Sequence, residues 1–229
     1  GAEDPLWRTG FSEAHRDGQD ALIASYIFQM YDVYFTSRVK SHGVLLDIGG
    51  GSGPLCDSLS TLCLSIGWQH IVIDGKDMLR HLAKHPNRST LEGSFPAVLE
   101  QGLLSDVQPD LILAYSVLQY AIRDMPLSSF LDGVAECLSP GGVALLGDLP
   151  NRSKRARHLG ASGELDQILE QQSSTDVTDE TISTICDFFR LRGCDSFLLP
   201  QPRLLRTWRH REDLWIVQPE DVPYLEEWT

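Results

Sequence analysis

The chain lacks the material for a disulfide framework or a zinc ribbon. Its five cysteines, Cys56, Cys63, Cys137, Cys186 and Cys194, are an odd number and include no Cys-x-x-Cys pair. They read as reduced, mostly buried thiols. No apolar run approaches the roughly 20 residues of a membrane helix, and the amino end lacks the charged-then-apolar order of a signal peptide. A cytoplasmic protein with no membrane partner is the expectation. Basic residues are scarce: 19 Lys and Arg stand against 32 Asp and Glu, a net charge of −13. Affinity for nucleic acid rests on counterion release by a basic surface, so no nucleic-acid partner is expected. The deficit is uneven, with 9 basic against 18 acidic residues over 1–151 but 10 against 14 over 152–229, which leaves room for a local basic patch in the second part. Internal repeats and low-complexity tracts are also missing, and the acidic stretch 220–227 reads as a solvated terminus.

What is present suffices for a core. Apolar residues make up 42% of the 229 positions and charged residues 22%, which suits one large globular domain. Between Ser41 and Asp148 short β-branched runs alternate with helical stretches. Residues 44–48, 70–74, 90–92, 110–115 and 143–148 read as strands, and 54–66, 76–85 and 127–138 as helices stopped by Gly67, Pro86 and the turn Ser139-Pro140-Gly141-Gly142. Strands joined by helices imply right-handed crossovers, hence an α/β fold with a doubly wound, mostly parallel sheet. After Asp148 the pattern changes to a polar, basic loop over 151–158, a helix over 178–192, and two strands at 197–199 and 214–217. Too little chain separates that pair for another crossover, so an antiparallel edge hairpin completes a seven-stranded sheet. Residues 1–40 are expected to form a helical cap segment, with the helix over 19–39, and 41–229 the main domain.

The loop Asp47-Ile48-Gly49-Gly50-Gly51-Ser52-Gly53-Pro54 lies where the first strand hands over to the first helix. Closely spaced glycines are needed there if the backbone turns with positive φ and approaches a ligand closely. A dinucleotide fingerprint, counted from Gly49, requires a third glycine where Pro54 stands, so the match is Asp-x-Gly-x-Gly-x-Gly instead. At the end of the second strand Asp74 can accept both hydroxyls of a ribose, and Gly75 lets a nucleoside lie close. Its structural alternative is an acid capping the next helix.

These motifs resemble those of class I methyltransferases that use S-adenosylmethionine and release S-adenosylhomocysteine. The likeness runs over about residues 41–148 and extends loosely through the terminal strand pair. It implies a Rossmann-like methyltransferase fold, a glycine loop beneath the methionine part of the cofactor, Asp47 near its amino group and Asp74 on the ribose. After the third strand many relatives have an acid for the adenine amino group, whereas this chain has Ser94 followed by Phe95. Ser94 can accept through its hydroxyl and Phe95 can stack on the ring. Tyr115 and Ser116, at the carboxyl end of the fourth strand, face the sulfonium or the acceptor.

The acceptor is read mainly from absences. No Asn-Pro-Pro-Tyr or Asp-Pro-Pro-Tyr follows the fourth strand, and no Pro-Cys nucleophile occurs there. Asp148 stands nearly alone among acids at the strand ends, so no metal is expected. A small-molecule acceptor remains, with O-methylation preferred to N-methylation and in-line displacement as the mechanism. Candidate catalytic groups are His15, Tyr115, Asp148 and His210, the histidines because imidazole titrates near neutrality. Arg152 and Arg155 are candidates for capturing an acidic acceptor, and Tyr26 for lidding the site. The aromatic run around Tyr26 equally suits a homodimer contact. The rival readings are a cofactor-binding module that serves a larger synthase without catalysis, which the Ser94 departure motivates, and a nicotinamide oxidoreductase.

Overall fold

Residues 18–35, 41–162 and 177–220 are described by the structure, a computed structural model. Seven strands form one sheet: β1 (Val44–Ile48), β2 (Gln69–Asp74), β3 (Arg88–Glu92), β4 (Leu111–Tyr115), β5 (Val143–Pro150), β6 (Asp195–Pro200) and β7 (Arg211–Val217). Their spatial order is β3-β2-β1-β4-β5-β7-β6. All pairs are parallel except β5 with β7 and β6 with β7. The doubly wound sheet with its antiparallel edge hairpin is thus the architecture found. The sequence order reverses between β1 and β4, which opens a crevice at the carboxyl ends of those strands.

Helices cover both faces. On one side lie α1 (Asp20–Met30), which continues as a π-helical turn over Tyr31–Phe35, and α2 (Pro54–Ser65). Ile23, Ala24, Ile27, Leu55, Leu59, Cys63 and Trp68 there meet Leu45, Leu113, Leu145 and Trp215 of the sheet. On the other side α4 (Ala97–Glu100), α5 (Leu118–Asp124), α6 (Leu127–Cys137) and α8 (Asp179–Arg190) bring Val98, Leu118, Phe130, Val134, Ile185 and Phe189 onto Leu46, Ile73, Ile112, Leu146 and Ile216. Central strands buried on both faces read as unbroken apolar runs: every residue of β4 and of β5 is buried. Among the described residues no helix is long and apolar enough to cross a membrane. Within the amino-terminal segment, residues 1–17 and 36–40 lie outside those described, while α1 packs on α2.

Two sequence expectations need correction, and β5 carries an irregularity. The helix expected over 76–85 is only α3 (Lys76–Leu79), which buries no residue and so has no apolar face to hold further turns. The basic stretch after β5 is not a loop but α7 (Arg152–Ser162). Its lack of apolar period hid it, yet Arg, Lys and Ala are good helix formers, and Asn151 caps it by accepting the Lys154 N–H at 2.8 Å. Finally, β5 does not run straight: its register with β7 shifts between Leu146 and Leu149. Leu145 belongs to the α2-side core, Leu146 and Leu149 to the other. Strict alternation would put Leu149 with Leu145, so one residue is inserted at Gly147-Asp148 as a β-bulge.

Candidate functional site

The glycine loop turns at Gly49 and Gly51, where φ is +67° and +66°, values that L side chains rarely adopt. Gly50 answers a different demand: a Cβ there would meet Asp47 Oδ2 at 2.5 Å and Val72 Cγ1 at 2.9 Å. That glycine makes room for the loop's own acid. α2 then begins at Pro54, which has no N–H, and its N-cap Gly53 offers no side-chain hydrogen bond; the Cys56 N–H donates to the Gly53 carbonyl at 3.1 Å, which leaves the Leu55 amide for a ligand. Together Asp47, Gly49, Gly50, Gly51, Gly53, Pro54, Leu55, Tyr115 and Ser116 line a cleft, with Asp20 of α1 beside them. Asp20 went unnoticed in the sequence, where an acid in a helical first turn reads only as a match to the dipole.

Asp74 is half-buried and burial raises its pKa, against the lowering effect of two backbone donors. Its Oδ2 accepts the Gly51 N–H at 2.8 Å and its Oδ1 the Gly75 N–H at 2.7 Å. The acid therefore braces the loop, and each oxygen keeps a lone pair for an outer donor. Nothing lies within 4 Å of where a Gly75 Cβ would stand, so the approach to Asp74 is open. Ser94 is exposed beyond β3. Phe95, expected to stack on adenine, is instead a core residue: it is 6% exposed and packs edge-on to Phe130 at 5.5 Å.

Just after β4 and within the bulge of β5, two residues sit in the left-handed region: Ser116 at φ +63° and Asp148 at φ +57°. Neither is glycine, so each stores backbone strain of order 1 kcal/mol or more, a feature that clusters at functional sites. Ser116 Oγ donates to Asp148 Oδ2 at 2.5 Å, and both residues are buried. Gln201 Nε2 reaches the Tyr115 hydroxyl at 3.1 Å, Asp148 Oδ1 at 3.3 Å and Asp213 Oδ1 at 3.3 Å. Asp213 on β7 accepts the Asp148 N–H at 2.8 Å and so pins the bulge. Burial pushes the Asp213 carboxyl up to about 6. Gln201 and Asp213 were not singled out in the sequence because their partners lie 53 and 65 positions away.

Of the other expected residues, Tyr26 joins this cluster through a hydrogen bond to Asp213. Tyr26 is half-buried, and burial followed by the neighbouring Asp213 charge raises its phenol far above the usual range, so it stays protonated and does not form an exposed lid. The His210 ring lies parallel to His158 at 6.0 Å, and burial, Arg211 and His158 press its pKa down to about 4. Arg152 is exposed and Arg155 half-buried at the head of α7, directly after β5. His15 lies outside the described residues.

A family model described as a methyltransferase domain matches residues 25–211. No curated protein sequence matches the chain. Among solved structures, the plantazolicin methyltransferase BpumL in complex with SAH aligns with a TM-score of 0.59 and 13% identity over 90% of this chain and 84% of its own. The CurJ carbon methyltransferase gives 0.60 and 16% over 88% of this chain and 54% of its own. An O-methyltransferase family 2 protein from Planctomyces limnophilus, solved with apigenin, gives 0.52 and 15% over 86% and 61%. At these identities the likeness speaks for the fold.

Proposed function

This chain belongs to the methyltransferase-domain family, and we propose that it transfers the methyl group of S-adenosylmethionine to a small-molecule acceptor, with an oxygen nucleophile preferred to nitrogen. One observation carries the reading: the cleft joins an acid suited to an ammonium group, Asp47, to a buried hydroxyl-carboxylate pair, Ser116 and Asp148. The residues fit the cofactor. A concave glycine cradle, an uncapped helix start and an uncovered Gly75 beside Asp74 match an amino acid joined to a nucleoside.

In this reading Asp47 pairs with the ammonium group and the Leu55 amide at the start of α2 faces the carboxylate. Asp74 accepts the ribose hydroxyls through its outer lone pairs, while Ser94 borders the base. When bound, the cofactor supplies an electrophilic methyl group on sulfur. Tyr115 and Ser116 hold the acceptor in line and exclude water, which is most of what such a displacement asks of a protein. For an alcohol or phenol, the acceptor proton passes to Ser116 Oγ as that hydroxyl gives its own to Asp148 Oδ2. His210 is a poor alternative base because its conjugate acid is too strong. Arg152 and Arg155 favour an acceptor that carries a carboxylate or phosphate.

Calorimetric titration with S-adenosylmethionine, S-adenosylhomocysteine and NADH tests the cofactor half. Micromolar binding of the first two alone is expected, and binding of neither refutes it. A panel of alcohols, phenols, amines and carbon acids, read by product mass and fragmentation, tests the acceptor half; methylation confined to nitrogen or carbon overturns the oxygen preference.

A further inference from the structure

We propose that His70 is a positioning residue for cofactor capture: it holds the Asp47 carboxylate in the orientation that receives the ammonium group, an inference that rests on the cofactor reading above. His70 stands in β2 beside β1, in register with Leu45, and is fully buried, with Ile71, Val72 and Ile73 following it in the strand. A buried imidazole among apolar neighbours is costly unless both ring nitrogens are satisfied. Here both are, with Nε2 3.2 Å from Asp47 Oδ2 and Nδ1 2.7 Å from Ser60 Oγ.

Hydrogen counting assigns the direction of these bonds. Ser60, fully buried in α2, has one proton and three neighbours: His70 Nδ1, the Cys56 carbonyl at 3.0 Å and Arg88 Nη1 at 3.0 Å. A guanidinium only donates, so the serine hydroxyl accepts from Arg88, and its one proton is shared between the Cys56 carbonyl and Nδ1. The Asp47 carboxylate only accepts, so the bond at that end is donated by the Nε2–H. Arg88 in turn donates to Asp57 Oδ1 at 2.8 Å. A chain of polar contacts thus runs from the cleft through Asp47, His70, Ser60 and Arg88 to an exposed acid on α2.

Asp47 is 3% exposed, and His70 is its side-chain hydrogen-bond donor among the described residues. The carboxylate torsion is intrinsically broad, so a donor fixed on Oδ2, under the roof of Gly50, decides where Oδ1 points. Asp47, Cys56 and His70 also lie close enough to hold a cation, their ligand atoms being within 4.8 Å of one another. Two features oppose that use: the Arg88 guanidinium sits 3.5 Å from Cys56 Sγ, and burial raises the Cys56 thiol well above its usual range.

The test compares S-adenosylhomocysteine with 5′-methylthioadenosine, which shares the nucleoside but lacks the amino-acid end. His70→Leu removes the donor, whereas the amide of His70→Gln can restore it. Calorimetry on His70→Leu should show S-adenosylhomocysteine weakened about tenfold or more, as expected for a lost bond to a charged group, with 5′-methylthioadenosine within about twofold of wild type. His70→Gln should recover most of the loss. Should His70→Leu fail to fold, Ser60→Ala provides a milder selective loss to the same pair of ligands. Equal weakening of both ligands, or no weakening of S-adenosylhomocysteine, overturns the positioning role and leaves the cofactor assignment standing. A wild-type chain that binds neither ligand overturns both.

Discussion

Replacing Asp213 by asparagine should make the protein more stable at neutral pH and leave it little changed in acid. Asp213 is 0% exposed, and burial raises its carboxyl from an ordinary 3.8 to about 6. Below 3.8 the group is protonated whether the chain is folded or not, and it has no effect. Between 3.8 and 6 the folded state keeps a proton that the unfolded chain gives up, so stability falls as pH rises. Above 6 the full cost stands: the gap of 6 − 3.8 pH steps at roughly 1.4 kcal/mol each is about 3 kcal/mol. Asparagine cannot ionise, and its Oδ1 can still accept the Asp148 N–H that Asp213 now accepts at 2.8 Å. Urea unfolding of both proteins at intervals from pH 4 to pH 8 should give curves that meet near pH 4 and diverge to about 2–3 kcal/mol by pH 8, part of the gain being offset by the imperfectly paired amide. Two parallel curves would refute the reasoning, and so would a variant that is less stable than wild type at pH 8.

Gly50→Ala should displace Asp47, because the added methyl meets its Oδ2 at 2.5 Å; calorimetry should show cofactor affinity reduced about tenfold or more with the far-ultraviolet spectrum retained. Ser116→Ala should lower kcat about tenfold to a hundredfold on an alcohol acceptor, with little change in cofactor affinity, since only the link to Asp148 is lost. Asn151→Ala should cost about 1–2 kcal/mol in urea, because it removes the cap of α7 and a buried bond to Glu212 Oε2 at 2.7 Å. Phe130→Ala, at a residue of α6 that is 1% exposed in the core, should cost about 3–5 kcal/mol, measured the same way.

The parts legible from sequence were those written in local chemistry. The parallel strands announce themselves because a strand buried on both faces needs an apolar run, as in Leu111–Tyr115. The loop at Gly49 and Gly51 is equally plain, since positive φ selects glycine. The same signal failed at Ser116 and Asp148, which adopt positive φ without being glycine, so nothing in their residue type marks the turn. Gln201 and Asp213 became part of the site only through contacts across more than fifty positions. The lack of an apolar period concealed α7 because its stability comes from propensity and an asparagine cap, and periodicity reports neither.

The bulge in β5 works like a frameshift in the alternation of the sheet. Up to Leu146 odd and even positions have fixed faces; beyond Asp148 the assignment is reversed. Deleting one residue there would leave almost every side chain chemically unchanged, yet it would turn Leu149 to the opposite core and send Asn151 away from Asp179 and Glu212. What sets the carboxylate at the mouth of the crevice is therefore a count of residues along the strand, and a change in length would do more harm than most changes of letter.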